Sequence, residues 1–345
     1  MTFHPFSIRF DPWQTDYGSE VESLDAAVDD DDVELAVERD AWGAVVPPPE
    51  SEGEVPATVY FVDGVRRVEA RIVGRRGGER LFHGAFGSYA VGAVEAQPQR
   101  HVACFAGAQL DRVVATGAGE ILPEAVRVNR ALLYRPVSIA DSKPIAPERA
   151  VHDEMRGAEE RLARELAERE VLVLTDGPLT FQEATRGLAV GWVKRIQELY
   201  LPASHVPVLW TLPSGTRTPL FALRSSRRFA RYSWFVRLAA PRRGDSELSG
   251  LVRCEVAAHV GVARAGVLAN ATARLLPRYA GVRGLHARAP QNLLPIAALE
   301  AKLRRELGDA RVLNRYLQGV IAEEAARGDD SLGAGREKGN GHDGE

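Results

Sequence analysis

Asp63 closes the apolar run "VYFVDG" and Asp176 closes "VLVLTDG", and each is followed at once by glycine. Divalent cations such as Mg²⁺ and Mn²⁺ prefer oxygen ligands and need several carboxylates in one place. Carboxylates carried on strands suit that need, because the strand fixes their position. Two such cations can activate water on one side of a phosphodiester and stabilise the leaving oxygen on the other. Turn chemistry accounts for the same pairs more plainly, since Asp-Gly is a common way to leave a strand. On these residues alone both explanations stand.

Further candidates surround them. Glu159 shares a helical stripe with Met155, Leu162 and Leu166, whereas Glu160 falls on the charged side with Arg156 and Arg164. A glutamate among core-facing positions is costly unless it is coordinated or paired, so Glu159 is either a third metal ligand or half of a buried ion pair. Lys194, in "GWVKRI", could align a phosphate or the attacking water, or simply reach the surface along its apolar stem. His286 and Asn292, in "GLHARAPQNLLPI", could add a ligand or cap the helix that follows. The segment 224–243 carries seven arginines and no acid, with Phe229, Tyr232, Trp234 and Phe235 among them. Arg224, Arg227, Arg228, Arg231, Tyr232 and Trp234 could therefore hold single-stranded DNA by charge and stacking, or belong to an ordinary hairpin.

The elements that must position these side chains have their own signatures. From 57 to about 105 the pattern is β: "ATVYFVDG", "VRRVEARIVG", "YAVGAVEA" and "HVACFA" follow one another across gaps too short for parallel crossovers. Residues 146–169 form the clearest helix, with Pro147 in its first turn. "VLVLT" comes directly after it, and its lack of alternation predicts a strand covered on both faces. "RYSWFVRLAA" and "SGLVRCEVAA" predict two further strands, and helices are expected over 295–308 and 309–327. The first 56 residues, acidic and then proline-rich, are expected as a surface segment. A main domain covers 57–327, and the glycine-rich tail 328–345 is expected to be disordered.

At 345 residues the chain can bury a full core, and its 45% apolar and 26% charged content are ordinary for a globular protein. No stretch is apolar enough for a membrane span, the N-terminus lacks the pattern of a secretory signal, and two cysteines make no disulfide framework. Those features point to the cytoplasm. A net charge of −3 does not advertise a nucleic-acid binder. GxxxxGK[ST], GxSxG, HExxH and paired CxxC motifs are absent.

Taken in order, the "FVDG" strand, the "EMRGAEERL" helix running into "VLVLTDGPL", the "GWVK" segment and the late "PQNLLPI" helix start resemble the NurA nuclease family. The resemblance spans roughly residues 57–325. It implies a ribonuclease H-like α/β fold: a mixed sheet flanked by helices, with additional strands and C-terminal helices. It also implies a Mn²⁺- or Mg²⁺-dependent DNA nuclease that processes ends in double-strand break repair, with 5′–3′ exonuclease and single-strand endonuclease activity. Partners implied in the same way are DNA, a second copy of the chain and a hexameric HerA-type translocase. Carried over by motif, the metal and catalytic residues fall on Asp63, Glu159, Asp176 and Lys194. One departure stands out: many members have a late histidine in an "AH" pair, where this chain reads "LLPIAALEAKL". That departure favours a competing class, a non-catalytic repair adaptor on the same scaffold. Whether the carboxyls of Asp63, Glu159 and Asp176 converge on one point separates the two. A sugar- or nucleotide-kinase-like relative is a third option, and it would bind ATP.

Overall fold

The computed structural model describes residues 6–10, 33–49, 57–76, 80–180, 187–196, 198–224, 229–286 and 288–336; side chains are described except in 6–10 and 325–336. Strands β1 (Phe6–Phe10), β2 (Val33–Glu34), β3 (Val59–Arg76), β4 (Arg80–Gln97), β5 (Val102–Thr116), β6 (Val126–Arg127) and β7 (Leu133–Ser138) precede helix α1 (Ala146–Ala167). Then come β8 (Leu172–Asp176), β9 (Leu188–Val193), α2 (Pro207–Thr211), β10 (Phe221–Leu223), β11 (Arg231–Arg237) and β12 (Leu251–Ala257). Helices α3 (Val262–Leu275), α4 (Leu294–Glu306) and α5 (Ala310–Arg336) close the described chain. The protein is thus mixed α/β, built on one large mixed sheet.

The sheet runs β2-β10-β11-β12-β9-β8-β3-β4-β5-β7-β6, with β1 added along β3. Its centre is β5-β4-β3-β8-β9: β3, β4 and β5 pair antiparallel, whereas β8 lies parallel to β3 and β9 parallel to β8. Helix α1 is the crossover that parallel pairing of β8 requires. Both faces of this centre are covered. On one, Tyr60, Val62 and Val173 pack against Ala163 and Leu166 of α1, beside a second patch in which Tyr89 and Val91 meet Val151, Met155 and Ala158. On the other, Phe61, Leu174, Val190 and Trp192 pack against Leu268 and Ala269 of α3 and Ile296, Leu299 and Leu303 of α4. Covering on both faces explains why "VLVLT" is continuously apolar.

Three expectations change. The strand from Val59 does not stop at Asp63–Gly64; β3 continues through them to Arg76, with a bulge between Val68 and Ala70. The reason is that β4 pairs with it without a break across Asp63↔Gly92 and Gly64↔Val91. The N-terminal region is not purely surface: β2 pairs with β10, Val45 is buried, and both oxygens of Glu38 accept from buried Arg217 at 2.7 and 2.9 Å. Finally, α5 runs past residue 327 to Arg336, since no proline stops it and propagation adds a backbone bond per residue. Most of the acidic run 19–40 lies outside the described residues, as do 337–345.

Candidate metal centre

Alternation along β3 decides which helix can meet Asp63. Successive side chains on a strand point to opposite faces. A Cβ built on Gly64 would lie 2.6 Å from Glu159 Oε1 and 3.0 Å from Met155, so position 64 faces α1. Asp63 therefore faces the other way. Its partner across the ladder confirms this, because a Cβ on Gly92 would come within 3.2 and 3.3 Å of Leu299 and Leu303 of α4. Asp176, the last residue of β8, reaches the same place.

There the third carboxylate is Glu300, from α4. Asp63, Asp176 and Glu300 each offer a carboxylate oxygen, and those three oxygens lie within 4.8 Å of one another. Asp63 is buried; its Oδ1 accepts from the Gly64 N–H at 2.8 Å, while its Oδ2 is buried with no partner among the described residues. Asp176 Oδ2 is paired with the Lys194 ammonium, which also stands 3.6 Å from Glu300 Oε1. Glu300 further accepts from Arg288 at 2.8 and 2.9 Å and from Arg304 at 3.3 Å. Lys194 leaves β9 directly after Val193, and its ammonium lies 5.7 Å from the Trp192 ring centre.

Burial, followed by the charges of Asp176 and Glu159, pushes the Asp63 carboxyl well above the usual range; Lys194 only partly offsets this. A carboxylate so placed calls for positive charge. An unpartnered, buried oxygen beside two more carboxylates is a donor set that fits a hard divalent cation, whose ligands sit about 2–2.6 Å away.

Glu159 sits differently from expectation. It is buried, but its Oε2 accepts from Arg156 at 2.6 Å. Arg156 also donates to the carbonyls of Asp176 (3.0 Å) and Pro178 (3.2 Å), tying α1 to the end of β8. Glu159 is thus the ion-paired alternative, held on the α1 side. Burial moves its carboxyl up to about 7, against the pull of Arg156 and with a push from Asp176. The stripe argument that singled out Glu159 applies equally to Glu300, which lies among Ile296, Leu299 and Leu303 at offsets of four, one and three in "PIAALEAKL".

Helix α4 is gripped at its far end. Arg67 donates to the Leu307 and Gly308 carbonyls at 3.1 and 2.8 Å, and Arg112 donates to Leu307 at 3.2 Å. Glu69, at the β3 bulge, is buried between the two guanidiniums at 3.4 and 3.6 Å. These contacts satisfy carbonyls that a helix end otherwise leaves open.

The remaining expected site residues do not join the carboxylates. His286 Nδ1 instead takes the Val282 N–H at 3.0 Å, closing a turn. Asn292 is buried just before α4 with its Oδ1 unpartnered, and it belongs to no group of convergent ligands among the described residues. Of the proposed DNA-holding set, Arg231 and Trp234 are buried in β11 and present no surface to a strand of DNA. Arg231 pairs with Glu255 at 3.2 Å, and the Trp234 indole N–H donates to Thr272 at 3.0 Å. Apolar neighbours in β11 bury Arg231 as well, beside the buried carboxylate of Glu255. Tyr232 packs against the core, and exposed Arg224 pairs with Glu34; Arg227 and Arg228 lie outside the described residues.

No family model matches the chain, and no curated protein matches it. Among solved structures it is similar to the NurA nuclease from Sulfolobus solfataricus, at 11% identity and a TM-score of 0.44, over 82% of this chain and 88% of that one. It is also similar to the catalytic domain of human Endonuclease V, at 15% identity and a TM-score of 0.32, over 77% and 92% of the two chains. Likenesses this remote leave the chemistry to be argued from the side chains. Among the described residues, no helix is long and apolar enough to cross a membrane.

Proposed function

We propose that the protein is a metal-dependent nuclease that hydrolyses phosphodiester bonds in DNA, with Asp63, Asp176 and Glu300 holding the cation. The observation that carries this reading is the convergence of those three carboxylates around the unpartnered Oδ2 of Asp63. A bound cation would make water acidic enough to attack at neutral pH and offset charge on the leaving oxygen. Lys194, between Asp176 and Glu300, is placed to steer a phosphate oxygen. Arg156 and Glu159 act from the α1 side as a brace on the end of β8.

The strand order β5-β4-β3-β8-β9, with α1 before β8, supports a ribonuclease H-like centre. Glu300 lies in "LLPIAALEAKL", the segment where the NurA resemblance leads one to expect a histidine, and supplies a ligand of another chemical type. On that resemblance the substrate is a DNA end in double-strand break repair, the cation Mn²⁺ or Mg²⁺, and the working form a cytoplasmic dimer on a HerA-type translocase. The test is cleavage of labelled single- and double-stranded DNA with Mn²⁺. Asp63→Asn and Asp176→Asn are each expected to lose activity by at least about 10³-fold while remaining folded. Undiminished cleavage by both variants would overturn the assignment.

A further inference from the structure

Four carboxylates, those of Asp63, Glu159, Asp176 and Glu300, are matched here by four cations, Lys194, Arg156, Arg288 and Arg304. The match is uneven. Lys194, Arg288 and Arg304 all crowd Glu300, whereas Asp63 Oδ2 has no partner among the described residues. A carboxylate has about four lone-pair sites, so the bonds from Arg288 to both oxygens and from Arg304 to Oε2 already occupy most of what Glu300 can offer. A divalent cation that enters beside Asp63 must take an oxygen of Glu300 from them. It must also stand near the Lys194 ammonium, and like charges a few ångströms apart repel strongly in a partly buried site.

We propose that metal and nucleic acid bind this site co-operatively because Arg288 changes partners, from Glu300 to phosphate oxygens, while Lys194 stays on Asp176 beside the cation, which makes Arg288 a substrate-positioning residue. The proposal rests on the nuclease reading. Adding a dication to a balanced cluster leaves an excess of positive charge, and phosphodiester groups are the anions that restore the balance. Arg288 is suited to the exchange. Its side chain is 52% exposed while its Nη2 reaches both oxygens of a Glu300 that is 10% exposed, so it spans from solvent to the carboxylates. Its backbone sits at φ +59°, a left-handed conformation that a non-glycine residue adopts at a cost of about 1 kcal/mol or more. Lys194, 16% exposed, is closer in and has less room, so it stays at the cation's side.

Mn²⁺ titration of the full chain by calorimetry tests this, with and without a hydrolysis-resistant phosphorothioate oligothymidylate. For the unaltered protein the oligonucleotide is expected to tighten Mn²⁺ binding at least about 5-fold. Arg288→Met and Lys194→Met are each expected to tighten Mn²⁺ binding to the free protein by a similar factor and to shrink the coupling. Arg288→Met should also raise KM for DNA more than it lowers kcat, and Arg288→Lys should restore part of the coupling. Mn²⁺ affinity unaffected by the oligonucleotide, or unchanged in both Met variants, overturns the proposal and leaves the nuclease reading in place. Failure of every form to bind Mn²⁺, with or without oligonucleotide, overturns the nuclease reading as well.

Discussion

Asp63–Gly64 and Asp176–Gly177 are the same dipeptide used in two ways. The second is a true strand end: β8 stops at Asp176, and Gly177 turns away at φ +98°. The first lies inside an 18-residue strand, where Gly64 is needed for space, because any Cβ would strike Glu159. One glycine serves the backbone and the other a neighbour's side chain. The aspartates differ in the same manner. Asp176 keeps a cation, Lys194, whereas Asp63 is buried with an oxygen unpartnered. A dipeptide motif therefore says little about whether it bends the chain or makes room within it.

The sharpest way to break this contrast is through the helices on either side. If Asp63 faces α4, Glu300→Gln should cut Mn²⁺-dependent cleavage by about 10²-fold or more, as expected for loss of a charged ligand, whereas Glu159→Gln should cost about tenfold or less. The reverse ranking in a single-turnover assay would place the third ligand on α1. A second effect follows from Glu159, whose carboxyl is raised from 4.5 to about 7. A carboxyl raised in the folded state stabilises the fold below its unfolded value and loses that contribution as pH rises through the folded one. Relative to Glu159→Gln, the metal-free protein should thus lose up to about 3 kcal/mol between pH 4.5 and pH 8, read by urea unfolding in chelator.

The two aspartates should then respond with opposite signs in the same chelated unfolding experiment near pH 8. Asp176→Asn removes the partner of Lys194 and should destabilise by about 1–3 kcal/mol. Asp63→Asn removes a buried charge that burial and neighbouring carboxylates disfavour, so it should stabilise. The smallest contrast is between the glycines. Gly64→Ala should cost about 1–3 kcal/mol by overpacking, and shortening Glu159 to Ala should recover part of it. Gly177→Ala should cost about 1–2 kcal/mol through its backbone; shortening Glu159 should not help, and Asn should be tolerated better than Ala.

These comparisons also mark where the sequence was legible. Helix α1, the doubly covered β8 and strands β11 and β12 were readable because periodicity and local punctuation specify them. Asp63 and Asp176 were readable as carboxylates on strands. Glu300 stands on an apolar stripe as Glu159 does, but choosing between the two requires the facing of Asp63, and that depends on β3 continuing through Gly64. The burial of Arg231 was not readable, because its partner Glu255 comes from the next strand across a long connection.

The grip of Arg67 and Arg112 on the end of α4 has a mechanical consequence. Arg67 stands on the same strand as Asp63, so one rigid bar carries one carboxylate of the cluster and also anchors the helix that brings another. Glu300 lies seven residues from Leu307, which makes α4 a lever of about 10 Å with its fulcrum at the arginines. A tilt of about 6° there moves the carboxylate by about 1 Å, on the scale at which a coordination shell opens or closes.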